Sequence, residues 1–228
     1  MKRVWFNLFL SPLWFFLAIV IFKWQVGQDN FFNARLPHHL QSNGPTIFLI
    51  GIIFVTLFFL WSAHKDHFNI WRNGWEPRNN IFIEVGGGVA MGLVMAILYF
   101  AFVAPYQIVL QNQFGDYVET GETAVKLVQQ PILFFIVNIF IAPFIGESIF
   151  RNYAIKQLTP QFSMTSRILI TSAGFGLLHC LAGFWFMLMA GVLVGIPFAF
   201  AAEKRKNIIW TFAAHTTLNI LEVIYFAF

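Results

Sequence analysis

Long apolar runs recur along the whole sequence, separated by short polar stretches. They lie near residues 4–24, 45–63, 81–103, 131–152, 167–182, 184–202 and 207–227. A helix rises about 1.5 Å per residue, so a run of roughly 20 residues crosses about 30 Å of hydrocarbon. In lipid the backbone must satisfy its own hydrogen bonds, and continuous apolar runs do so as helices. The pattern predicts an all-α, polytopic membrane helix bundle of about seven transmembrane helices. Only 11% of the 228 residues are charged, against about 25% in soluble domains. The polar stretches are too short for a second domain, so residues 1–228 read as a single transmembrane domain.

Composition excludes some classes of function. The net charge of +4 does not argue for a nucleic-acid partner, because where the charge sits matters more than its sum. The single cysteine, Cys180, rules out an intrachain disulfide. Met1-Lys2-Arg3 resembles the start of a signal peptide. No small-x-small cleavage site precedes Lys23-Trp24, so the first run reads as an uncleaved span with Pro12 as a kink.

Basic residues predict the orientation. With the N-terminus in the cytoplasm, the inner side holds Lys2, Arg3, Lys65, Arg72, Arg78, Arg151, Lys156, Arg167, Lys204, Arg205 and Lys206. The outer side keeps Lys23, Arg35 and Lys126. The inner loop at 64–80 mixes His64, His67, Trp71 and Trp75 with basic residues, which suits an interfacial segment on an anionic leaflet. The outer loop at 106–130, with Asp116, Glu119 and Glu122, reads as a solvated, partly helical surface. His38-His39 reads as solvated histidine. Gly86-Gly87-Gly88 and Gly92 in the third run predict close helix approach.

Ionisable residues inside spans are costly and usually face the bundle interior. Glu147 and Arg151 stand four apart at the inner end of the fourth run, one turn apart on one helix face, after a kink expected at Pro143. The bland reading is an ion pair that locks the helix end. His179 lies in the fifth run, and His215 and Asn219 share one face of the seventh. The bland reading of each histidine is a hydrogen bond to a neighbouring helix. Counted from the entry of each span, Glu147, His179 and His215 lie about 24, 18 and 12 Å deep, levels that meet in the inner half.

A carboxylate and a histidine can hold and deprotonate a water. A second histidine and an asparagine can donate to the oxyanion of a tetrahedral intermediate. An arginine can orient the carboxylate and keep it ionised. That set suits peptide-bond hydrolysis without a covalent nucleophile and without a required cofactor. Alternatively, Glu147, His179 and His215 are two-His-one-carboxylate ligands for Zn²⁺. Cys180 is a poor nucleophile, since its helix neighbour His179 does not face it, and reads as a small apolar filler.

Three short patterns resemble one known family. Pro143-Phe144-Ile145-Gly146-Glu147-Ser148-Ile149-Phe150-Arg151 resembles a Glu-Glu-x-x-x-Arg motif, Phe175 to His179 a Phe-x-x-x-His motif, and His215 to Asn219 a His-x-x-x-Asn motif. Their order resembles the CPBP (CAAX prenyl protease-like and bacteriocin-processing, or Abi) intramembrane proteases, with the family-like core at about 131–228. The resemblance implies a bacterial cytoplasmic-membrane endopeptidase acting on a membrane-associated, lipidated or small peptide, with membrane lipids around it. It implies Glu147 and His179 for water activation, His215 and Asn219 for the oxyanion, and Arg151 for holding the carboxylate. Gly146 replaces the first glutamate, the one the family uses to activate water. Three readings follow: Glu147 takes over as base, another intramembrane carboxylate substitutes, or the chain is a non-catalytic pseudoprotease that binds partners. Of the other carboxylates, Glu84 has a suitable depth, and Glu222 shares the face of His215 and Asn219 but is expected too far outward.

Overall fold

The computed structural model describes residues 2–25, 44–115 and 131–227, and every regular element among them is helical. Helix α1 (Lys2–Phe9) meets α2 (Ser11–Gln25) at a 55° bend. Pro12 lacks the N–H that would continue the helix ladder, and the chain turns just before it. Then follow α3 (Gly44–Lys65) and α4 (Ile81–Phe114). Helix α5 (Pro131–Leu158) precedes α6 (Met164–Leu178), α7 (Phe184–Arg205) and α8 (Ile209–Ala227). Arg35, His38, His39, Asp116, Glu119, Glu122 and Lys126 lie outside the described residues.

Helices α3, α4, α5 and α7 are long and apolar enough to cross a membrane, and the bent α1–α2 pair makes a fifth crossing if taken as one. The protein is a multi-pass, all-α membrane protein. Two expectations change. The third run is helical to Phe114, well past residue 103. The fifth run ends early: α6 has 15 residues and stops at Leu178, so His179 caps it rather than lying within it. The next turn is a single 3-10 turn, Cys180–Ala182, and Gly183 follows at φ +119°. That backbone conformation favours glycine, and it lets α7 start at once and run back beside α6. Cys180 therefore sits in a hairpin turn and not in a span.

Helix α5 holds the centre of the bundle. Phe150, Tyr153 and Leu158 are fully buried against Leu8 of α1 and Phe59 of α3. Lipid tails are as apolar as these side chains, so close packing rather than hydrophobic transfer holds the helices together. The helix runs on through Pro143, after a π-helical stretch at Ile136–Ile141. The wider turn gives room for a ring that would clash with the preceding carbonyl. A second π stretch, Glu147–Ala154, is buried along its whole length.

Helix α8 packs along α4, where the expected close approach occurs. A Cβ on Gly92 would stand 2.6 Å from the Ala214 carbonyl oxygen, so only glycine lets the two backbones meet there. The 64–80 segment is more than an interfacial loop. Trp71 is exposed, whereas Trp75 inserts into the bundle. It stacks on Phe144 at 4.6 Å, and its Nε1 donates to Ser148 Oγ at 3.1 Å. This wedge buttresses α5 just behind Glu147.

Candidate active site

A cavity of about 490 Å³ opens between α2, α3, α4, α5, α6, α7 and α8. Gly146, His179, His215, Asn219 and Glu222 line it, in walls that are otherwise mostly apolar. The volume lies in the usual range for small-ligand sites, about 300–1,000 Å³. The three sequence motifs therefore converge on one chamber, although they come from three helices.

The helix ends explain the geometry of each group. His179 stands where α6 stops, and its Nδ1 lies 2.8 Å from the Phe175 carbonyl oxygen. A carbonyl only accepts, so Nδ1 carries the hydrogen and Nε2 of the neutral ring keeps a free lone pair. Phe175 packs against the imidazoles of both His179 and His215, at 4.7 and 5.7 Å between centroids. His215 faces α5, and its Nδ1 meets Glu147 Oε1 at 3.0 Å. Asn219 lies one turn on, and its Nδ2 donates to the Asn138 carbonyl at 2.7 Å. One N–H of that amide is thus held, which fixes where the second one points. Asn138 was not identifiable from the sequence, because its contribution is a backbone carbonyl.

Glu147 and Arg151 sit behind the chamber. Both side chains are fully enclosed, and Arg151 Nε lies 3.6 Å from Glu147 Oε2. The guanidinium stacks on Phe175 at 4.0 Å, a cation–π contact that matters more where water is excluded. None of its three nitrogens makes a hydrogen bond among the described residues. Glu147 does not line the cavity. The position that does is Gly146, and a Cβ built there meets only Phe175, at 4.0 Å. The missing first carboxylate is missing from the chamber wall itself.

The two candidate substitutes lie in different surroundings. Glu84 is committed elsewhere: Arg205 donates to it at 2.8 and 3.1 Å and Asn79 at 2.9 Å. Glu222, expected too far outward, lines the chamber. The zinc alternative does not fit. Among the described residues no three His, Cys, Asp or Glu side chains are placed to hold a metal ion. Glu147 is turned to His215 and Arg151 and does not line the chamber, so Glu147, His179 and His215 do not form one ligand set.

Residues 128–221 match the family model described as Rce1-like, type II CAAX prenyl endopeptidase Rce1-like. The match spans all three motifs and bears out the resemblance read from them. No curated protein and no solved structure gives a match to the chain.

Proposed function

With residues 128–221 matching an Rce1-like type II CAAX prenyl endopeptidase, we propose that this protein is an intramembrane endopeptidase. It hydrolyses peptide bonds of a membrane-associated, lipidated or small peptide. The observation that carries the reading is the chamber in which His179, His215 and Asn219 face one space. Seven crossings with the N-terminus inside, in a bacterial cytoplasmic membrane, belong to the same proposal and follow the distribution of basic residues.

In this mechanism His179 Nε2 takes a proton from a water as its oxygen attacks the scissile carbonyl carbon. The carbonyl oxygen becomes an oxyanion. His215, held through Nδ1 by Glu147, stands beside that oxyanion, and Asn219 presents its second N–H to it. Arg151 balances the charge of Glu147. Collapse of the intermediate breaks the C–N bond, and the proton on His179 passes to the leaving amine. His179, His215 and Asn219 are the catalytic groups. Glu147 and Arg151 act through His215 and are positioning residues.

A non-catalytic binding role is the second reading, because Gly146 leaves no carboxylate beside His179. One experiment separates the two: purified protein in lipid, offered a library of peptides and lipidated peptides, with His179→Ala and Gly146→Glu alongside. Wild-type cleavage that falls about 10²–10⁴-fold in His179→Ala supports proteolysis without the first glutamate. Silence from wild type with cleavage by Gly146→Glu supports the binding role, since the open space at Gly146 admits the longer side chain.

A further inference from the structure

Glu222 is the one carboxylate among the described residues that line the chamber, and no Lys or Arg lines it. Among the described residues it makes no hydrogen bond and no ion pair. The other acids of the helix bundle are arranged differently. Glu84 holds Arg205, Glu203 holds Arg167 and Lys206, and Glu147 holds Arg151 and His215. A carboxylate in an apolar, membrane-enclosed space is costly unless a counter-charge meets it. No Lys or Arg of the described walls supplies one, so a cation that enters the chamber meets Glu222 without a competitor.

Helix geometry fixes where. His215, Asn219 and Glu222 stand on one face of α8 at i, i+4 and i+7, and all three line the chamber. At 1.5 Å per residue, Glu222 is about 10 Å along the axis from His215. An extended peptide advances about 3.4 Å per residue. A chain whose carbonyl sits at His215 and Asn219 therefore brings a group about three residues away to Glu222. Tyr99, Leu218 and Val223 line the chamber as well and suit apolar flanking side chains.

We propose that Glu222 forms a cation subsite, which selects an apolar peptide carrying an ammonium or guanidinium group about three residues from the bond held at His215 and Asn219. The inference rests on the peptide-binding part of the proposed function and does not require turnover. A like-charged side chain at the same distance is disfavoured. Glu222 is thus a specificity residue, and its distance from His215 keeps it out of the water-activating step.

The test is binding of fluorescent apolar nine-residue peptides to the full chain in nanodiscs of zwitterionic phosphatidylcholine, read by anisotropy. The peptides carry Lys, norleucine or Glu three residues from the centre. Wild type is expected to bind the Lys peptide roughly tenfold more tightly than the norleucine peptide, the scale of a charge-assisted hydrogen bond. Glu222→Gln, which keeps the side-chain shape, is expected to abolish that ratio, and Glu222→Lys to favour the Glu peptide. Equal binding of the Lys and norleucine peptides by wild type overturns the proposal, as does an unchanged ratio in Glu222→Gln. Lys preference without any cleavage removes proteolysis and leaves the subsite. Cleavage without Lys preference does the reverse.

Discussion

The charges at the ends of the helices and the charges around the chamber obey different rules. At the ends Asp66, Glu84 and Glu203 have short, direct partners. Asp66 takes Arg3 at 2.5 Å and also accepts from the Tyr153 hydroxyl, and Glu203 takes Arg167 at 2.5 Å and Lys206 at 3.2 Å. Deeper in, Arg151 and Glu147 stand 3.6 Å apart, the guanidinium rests on an aromatic ring, and Glu222 has no counter-charge among the described residues. Ends that reach water can use strong pairs to pin helix to helix. A binding chamber needs groups that are oriented but not used up, and Glu222, unlike the enclosed Glu147–Arg151 pair, lies where an entering molecule would supply the missing contact.

Breaking the enclosed pair gives the largest expected effect. Arg151→Met leaves Glu147 buried without its guanidinium, and a loss of about 3–5 kcal/mol of unfolding free energy is expected. Reversible unfolding in mixed detergent measures it, and a loss under about 1 kcal/mol would put this pair with ordinary surface pairs. Glu84→Gln tests the helix ends. Removing a charged hydrogen-bond acceptor from Arg205 should cost about 1–3 kcal/mol, with cleavage or peptide binding unchanged.

A smaller effect is expected from pH. Burial opposes the charge on Asp66, yet the hydrogen bonds from Arg3 and Tyr153 outweigh it and hold its pKa below the ordinary 3.8. A carboxyl lowered in the folded state stabilises fully above the unfolded value and loses that contribution as pH falls through the folded one. Acid titration of unfolding should therefore show a wild-type limb below pH 3.8 that flattens in Asp66→Asn. The smallest effect sharpens the contrast most. Glu222→Gln should leave stability within about 0.5 kcal/mol of wild type, because no partner among the described residues is lost. A large loss would show that Glu222 is a structural charge like those at the helix ends.

Much of this was legible in the sequence. The second run, expected at 45–63, is α3, and the bend at Pro12 and the glycine contact between α4 and α8 lie where the residues indicate. His215 and Asn219 share a face because four residues nearly complete a turn, and His179 joins them through its motif. Other features were not legible. The end of α6 at Leu178 depends on a hairpin turn inside a run that stays apolar, so hydropathy carries no mark of it. Trp75 has the composition of an interfacial residue and becomes a wedge only because α5 and α8 leave a gap for it.

Residue order alone determined the class of the protein, its helices, and which polar residues share one helix face, because backbone satisfaction in lipid and the helical repeat act within a single segment. Tertiary structure decided which faces meet. It turned Gly146 toward the chamber and Glu147 away from it, gave Glu84 to Arg205 and left Glu222 without a partner among the described residues. These outcomes depend on the rotation and depth of each helix against its neighbours, set by contacts between residues distant in the chain, such as Glu147 with His215 and Asn138 with Asn219.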